Sequence, residues 1–167
     1  EEILRIYGYN NIALPSLLHA SITYSLKPDR DKLKNTIADY ISSNGFNEII
    51  CNSLTKSSYV SFTQELKEEY NVDILNPLSS DLDVLRQTLL FGGLEVISYH
   101  NNRQLYDLKI FEFGKTYIKE SDNRYKEEEF LTLFCVGKKQ AESWNSLKDH
   151  TDFYFLKGIV LNVINRL

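Results

Sequence analysis

The clearest pattern of hydrophobic and polar positions lies in PDRDKLKNTIADYISSNG, residues 28–45. Apolar side chains recur there at every fourth position and form one helical stripe, consisting of Leu33, Ile37 and Ile41. Asp29 and Asp31 lie in the first turn, where the helix dipole favours negative charge. Gly45 is a typical residue at a helix end. The pattern predicts a helix over residues 29–44.

Two further segments have helical character. DFYFLKGIVLNVINRL, residues 152–167, places apolar side chains on one face, namely Leu156, Ile159, Val160, Val163 and Leu167. FGGLEVISYHNNR, residues 91–103, also predicts a helix, with Ser80 or Asp81 as its cap. The adjacent glycines of FGG fit a helix start that packs closely on a sheet. EEILRIYGYNN at the start of the chain resembles the last turns of another helix.

Two long segments predict strands, LKIFEFGKTYIK over residues 108–119 and EEFLTLFCVGK over residues 128–138. The polar run SDNRYKEE between them predicts a hairpin loop. Shorter strands are predicted at residues 22–26, 46–54 and 72–75, and one helical turn near TKSSYVSF. Paired strands with helices before and after them indicate an α+β fold, a mainly antiparallel sheet flanked by helices.

The composition of the chain argues against several classes of function. The net charge of −4 argues against a broad nucleic-acid-binding surface. There is no long apolar run to span a membrane and no secretion signal, so we expect a cytoplasmic protein. Cys51 and Cys135 lie far apart in apolar runs and predict reduced thiols, and the three histidines have no metal-ligand spacing. A chain that begins with Glu1 and lacks methionine predicts a segment of a longer protein.

The common catalytic signatures do not occur. Neither glycine-rich phosphate loop, GxGxxG or GxxxxGK[ST], is present, and there is no GxSxG nucleophile motif. The informative segments are different ones, and their order along the chain matters. They are EEILRIYGYNNI, NPLSSDLDVLRQTLLFGGLEVISYHNNR and KIFEFGKTY.

These three segments resemble the phenylalanyl-tRNA synthetase β subunit of bacterial type. The first is similar to the EEV-x-RIYGY-[DN]-NI signature that closes the B5 module, and the others to the NPLS…LR-x-SLL…N-x-R and FE-[IF]-G-x-[VT]-[FY] segments. The resemblance implies that residues 1–15 are the end of a B5-type module and linker, and residues 16–167 a class II synthetase-like core, truncated at its C-terminus.

In this family the β subunit's core is regarded as catalytic-like but inactive, and the α subunit supplies the active site of an α₂β₂ enzyme. That enzyme joins phenylalanine to tRNA and uses ATP and Mg²⁺. The resemblance therefore implies the α subunit as partner, tRNA in the full assembly, and no cofactor on this segment. Editing and anticodon contacts belong to other modules. Without its partner, the segment is expected to self-associate.

Two positions depart from the catalytic class II pattern. Catalytic cores carry an arginine in F-R-x-E after a glycine, and this arginine neutralises the α-phosphate during adenylate formation. Aligned on Gly114, that position is Ile118, which bears no charge, while Lys119 points to the opposite strand face. Catalytic members often have a glutamate two residues after an L-R pair, where this chain has Thr88. We therefore expect no catalytic or ATP-binding residue here.

The resemblance also assigns a metal site and an interface. The acidic pair before RIYGY, here Glu1 and Glu2, belongs to a family magnesium site whose upstream aspartates are missing from this sequence. The helix over residues 29–44 corresponds to the element that forms the class II dimer interface, with Tyr40 and Asn44 as interface candidates. Two alternatives stay open: an amino-acid-activating ligase that acts by itself, and a tRNA-binding domain.

Overall fold

The computed structural model describes residues 1–13, 29–120, 124–140, 143–144 and 149–166. Within these ranges the helices and strands follow one another along the chain as α1 Glu2–Tyr7, α2 Arg30–Ser43, β1 Asn47–Glu48, β2 Leu54–Thr55, β3 Val72–Asp73, β4 Val84–Leu85, α3 Leu90–Asn101, β5 Leu108–Lys119, β6 Tyr125–Val136 and α4 Phe153–Ile164. Short 3₁₀ helices lie at Tyr9–Asn11, Ser57–Phe62 and Glu68–Tyr70. The strand predicted at residues 22–26 lies outside the described residues.

The strands form two sheets. In the larger one the order is β1-β5-β6, with β1 parallel to β5 and β5 antiparallel to β6 over their whole length. In the smaller one β4 lies between β2 and β3, and both pairings are antiparallel. The α+β class and the hairpin are confirmed. The hairpin loop is shorter than predicted, because β6 already begins at Tyr125.

Helices α2 and α4 cover one face of the larger sheet. Their buried residues meet two phenylalanines of the sheet region in a single core, made of Ile37, Ile41, Phe46, Phe111, Ile159 and Val163. Asp29 caps α2, because its carboxylate accepts hydrogen bonds from the backbone N–H groups of Asp31 and Lys32. Asp152 caps α4 in the same way through the N–H of Phe155. The stripe predicted for α2 is confirmed, since Ile37 and Ile41 are core residues and Leu33 packs against them. The stripe predicted for α4 is confirmed in part: Leu156, Ile159 and Val163 belong to the core region, Val160 is exposed, and Leu167 lies outside the described residues.

Two predicted boundaries were wrong. Residues 46–54 form two short strands in different sheets, because Cys51 leaves the larger sheet and donates its backbone N–H to the Glu112 side chain at 3.2 Å. Helix α3 begins at Leu90 and not near Asp81, since Ser79 and Asp81 form a tight turn before β4. The hydroxyl of Thr88 accepts a hydrogen bond from the backbone N–H of Leu90 at this start.

Helix α3 packs directly on the sheet through a glycine. A Cβ atom added at Gly93 would lie 2.1 Å from Cζ of Phe134 on β6, so only glycine lets the ring lie against the helix backbone. Phe134 is buried by this contact. The close approach predicted for the FGG segment is confirmed at its second glycine.

We expect Gly93→Ala to destabilise the protein by about 1–3 kcal/mol, because the new methyl group would overlap the Phe134 ring. Gly158 on the exposed side of α4 is the matched control, since a Cβ there meets nothing within 4 Å. Gly158→Ala should stabilise by up to about 1 kcal/mol through helix propensity. Urea unfolding measures both; equal effects of the two substitutions would contradict this packing.

Candidate functional site

Strand β5 presents two chemically different faces. Phe111 and Phe113 face the helical core, and the alternation of strand side chains places Glu112, Gly114, Thr116 and Ile118 on the other face. Alternate residues of the FEFGKTYIKE segment therefore face opposite sides of the sheet. One set holds the core, and the other faces the segment that joins β4 to α3.

A buried ion pair lies on this second face. Nη1 of Arg86 donates to Oε1 of Glu112 at 2.8 Å, and the two side chains expose only 7% and 1% of their surfaces. The same Oε1 accepts the backbone N–H of Cys51. A buried charge is tolerated in a protein when a partner and hydrogen bonds compensate its lost hydration. Arg86 and Cys51 meet that condition for Oε1 of Glu112, whereas its Oε2 is buried without a hydrogen-bond partner among the described residues.

The backbone and side chain of Arg86 also join the two sheets. Its N–H donates to the carbonyl of Ser53, and its carbonyl accepts from the N–H of Tyr117, both at 2.9 Å. Its Nε donates to the carbonyl of Lys115 at 2.9 Å. The chain at Arg86 thus occupies the edge of β5 beyond the point where β1 ends.

Gly114 lets this segment lie on the sheet. A Cβ atom at Gly114 would come within 2.5 Å of Nη2 of Arg86 and 2.6 Å of Cδ2 of Leu89. The glycine of FEFGK therefore makes room for the arginine and the leucine of the preceding segment. The guanidinium of Arg86 lies against β5 and forms an ion pair with Glu112.

Ile118 lies near the open end of the same face. Its partner on β6 is Lys126, whose ammonium is 2.8 Å from the carboxylate of Glu128 and is about half exposed. A cavity of about 160 Å³ lies next to Thr116. Its described lining consists of the uncharged residues Gln87, Thr88, Leu89, Thr116, Phe130, Leu131 and Thr132. No positively charged side chain among these lining residues could neutralise a phosphate.

The position two residues after the L-R pair has a structural task. Thr88 accepts the N–H that starts α3, at 3.2 Å. Its neighbour Gln87 donates to Oδ1 of Asn71 at 2.6 Å and to the carbonyl of Lys67 at 2.9 Å. The polar groups of both side chains are therefore used in hydrogen bonds within the protein. Neither places a carboxylate where a substrate amino group would need one.

Glu1 and Glu2 lie at the start of α1, and both carboxylates pair with Arg5, at 3.5 and 3.1 Å. All three side chains are largely exposed. Among the described residues there is no cluster of three side chains that could hold a metal ion. The arrangement around Glu1 and Glu2 favours an ion pair with arginine over a closed set of oxygen ligands. The magnesium site stays a prediction.

Tyr40 and Asn44 lie at the C-terminal end of α2. The guanidinium of Arg166 lies over the Tyr40 ring at 3.8 Å, and Nδ2 of Asn44 donates to the Tyr40 carbonyl at 2.8 Å. The Tyr40 side chain therefore helps to hold α2 and the end of α4 together, whereas Asn44 closes the C-terminal end of α2 itself. Their role in an interface stays a prediction.

The cysteines are free thiols. Burial, followed by the nearby Glu112 carboxylate, raises the pKa of Cys51 to about 11. Burial also raises the pKa of Cys135 to about 11, against a smaller opposing effect of Lys109. Both are protonated at neutral pH and are poor nucleophiles there.

The fold is that of the class II aminoacyl-tRNA synthetases. It is similar to the solved structure of PylSc, a pyrrolysyl-tRNA synthetase from Desulfitobacterium hafniense, with a TM-score of 0.56 and 21% identity over 83% of this chain and 45% of that chain. Residues 14–167 match the family described as the phenylalanyl tRNA synthetase beta chain CLM domain. The chain belongs to this family.

Curated relatives agree with that assignment. The chain is 43% identical over its whole length to the phenylalanine–tRNA ligase beta subunit of Bacteroides thetaiotaomicron and 37% identical to that of Porphyromonas gingivalis. It spans 22% of the length of each of these relatives. No helix in the described part of the chain is both long and apolar enough to cross a membrane.

The Arg86–Glu112 pair was missed by sequence reasoning, although LR and FEFG had both been identified as motif segments. A signal was available, since an arginine and a glutamate each stand within an apolar run where a lone charge would be costly. That signal could have suggested that the two charges meet.

We expect Arg86→Met to cost about 3–5 kcal/mol of unfolding free energy, because it leaves the Glu112 carboxylate buried without its cation. The double variant Arg86→Met/Glu112→Leu should lose clearly less than the sum of the two single losses. Urea unfolding of the four proteins measures this coupling. Additive losses would show that the two side chains do not depend on each other.

Proposed function

We propose that this chain is a non-catalytic scaffold in the beta subunit of a phenylalanine–tRNA ligase. In that assembly the α subunit carries out the ATP- and Mg²⁺-dependent attachment of phenylalanine to tRNA. The working enzyme is a cytoplasmic α₂β₂ heterotetramer. The chain contributes a synthetase-shaped surface that holds the α subunit and supports the tRNA-bound state.

The observation that carries this proposal is the chemistry of the face shared by Glu112 and Ile118. Adenylate formation requires a fixed cation in a water-poor site. Arg86 is committed to Glu112 at 2.8 Å, and Lys126 is paired with Glu128 at the exposed end of the hairpin. Ile118 supplies no charge. Among the residues of β5 and β6, the one cation on this face, Lys126, already has a carboxylate partner.

The space on this face supports the same proposal. Small-molecule sites usually enclose about 300–1,000 Å³. The cavity beside Thr116 encloses about 160 Å³, and the Phe134 ring fills the gap between β6 and α3. A nucleotide with its metal does not fit the residues of this face, so we derive no chemical step through ATP here. Glu1 and Glu2, paired with Arg5, do not fit a Mg²⁺ site by themselves.

If the chain were instead a competent amino-acid-activating ligase, it would exchange pyrophosphate into ATP in the presence of its amino acid. We expect no phenylalanine-dependent exchange of pyrophosphate into ATP by the purified chain, and none by Ile118→Arg, because one added guanidinium does not enlarge the cavity. An intact phenylalanine–tRNA ligase serves as positive control, and circular dichroism verifies that the variant folds. Exchange above background by either protein would favour the ligase.

We expect the chain to co-purify with the α subunit from the same source when the two are co-expressed.

In the absence of the α subunit, we expect the chain to self-associate through its uncovered surface, which light scattering at rising concentration detects. Arg166→Ala, which releases the Tyr40 ring, tests whether the end of α2 contributes. Failure to recover the α subunit, together with a clean monomer at high concentration, would contradict the scaffold role.

A further inference from the structure

A groove of about 880 Å³ lies beside α3, between that helix, the segment over residues 50–56 and the turn at Asp81 and Leu82. Its volume lies in the range of small-molecule sites, about 300–1,000 Å³. Ile50, Leu54 and Val96 contribute apolar walls. The groove has the size and the character of a ligand site.

This groove and the face that holds Ile118 are lined by different residues, apart from Arg86 and Thr88, which border both. Consecutive helix residues project about 100° apart, so neighbouring glycines of α3 face different surroundings. Gly92 borders the groove and faces Cys51, whereas Gly93 faces the ring of Phe134 on β6. Thr88 borders both cavities, but β5 and β6 contribute no described residue to the groove.

The cations along the groove are neutralised by the protein. Lys56 pairs with Asp81 at 3.2 Å, and Arg86 pairs with Glu112 at 2.8 Å. A ligand carboxylate or phosphate would therefore have to compete with an existing partner for either one. The charges favour a ligand of the opposite kind.

Hydrogen-bond acceptors are available in the same groove. The carboxylate of Glu95 accepts one hydrogen bond within the described part of the chain, from the hydroxyl of Tyr59. Nδ1 of His100 lies 2.9 Å from the carbonyl of Val96 and must donate to it, because a carbonyl only accepts. In the neutral ring Nε2 of His100 is then an acceptor. Glu95 and His100 both belong to α3 and both line the groove.

We propose that this groove binds small organic cations, specifically a primary amine attached to an aromatic or branched apolar body. The ammonium donates to Glu95 and the body packs against the walls formed by Ile50, Leu54 and Val96. The groove is concave and of small-molecule volume, which favours a free ligand over a protein surface. The inference does not depend on the proposed scaffold role.

The experiment titrates ¹⁵N-labelled chain with phenethylamine and, separately, with 3-phenylpropionate, which has a similar body and the opposite charge. We expect saturable shifts at the amides of Cys51, Thr55 and Val96 with the amine only, in the low-millimolar range usual for so small a ligand. Glu95→Gln should weaken binding about two- to fivefold, because the ion pair with this exposed carboxylate is lost. Asp39→Asn on α2, an exposed acid far from the groove, is the matched control and should change nothing.

Equal binding of the amine and the carboxylate would overturn the proposal, since the groove would then be a non-selective apolar surface. Equal affinity of the Glu95→Gln and Asp39→Asn proteins would also overturn it. So would shifts that fail to saturate or that lie outside the groove. If the amine binds the free chain but not its complex with the α subunit, the groove is a protein interface, and the small-molecule assignment is wrong.

Discussion

The contact between Arg86 and Glu112 holds the two sheets of this protein in one arrangement. Glu112 lies in the middle of β5, and Arg86 belongs to the strand-to-helix segment of the smaller sheet. Through its backbone and its Nε atom, the arginine also continues the hydrogen bonding of β5 at Lys115 and Tyr117. These bonds hold the segment between β4 and α3 against β5 of the larger sheet.

The proposal that the chain is non-catalytic rests on the same contact. Synthetase chemistry needs a guanidinium that is fixed but still free to meet a phosphate. Here the buried guanidinium is fixed by a carboxylate, and the position expected to carry a second one holds Ile118. Phe134 and Leu89 occupy the space over the sheet. The chain has the class II synthetase fold, and its buried guanidinium is paired with a carboxylate of the same chain.

Much of this structure follows from local pattern. The stripes on α2 and α4, the hairpin of β5 and β6 and the close packing of the FGG glycine were predictable, because spacing and alternation are local properties. The break of the 46–54 segment was not predictable, because it depends on the distant Glu112 side chain accepting from Cys51. The start of α3 at Leu90 was not predictable either, because residues 79–81 form a turn and β4 follows before the helix begins.

The site was predictable only in part. The loss of charge at Ile118 is visible in the sequence once the FEFG strand is aligned, but the commitment of Arg86 and the small cavity beside Thr116 require three-dimensional contacts. The groove beside α3 combines residues 50–59 with parts of the NPLSS…NNR segment, and the sequence does not show that these two stretches of chain meet. Sites of this kind emerge only when the segments are brought together.

Titration of the ¹⁵N-labelled chain with Mg²⁺–ATP and with a non-hydrolysable phenylalanyl-adenylate analogue tests the central claim most directly. If the face of β5 and β6 is closed and has no free cation, the amides of Thr116, Ile118 and Thr132 will show no saturable shift with either ligand. Saturable shifts confined to these residues would show that the face still accepts an adenylate, and would contradict the account.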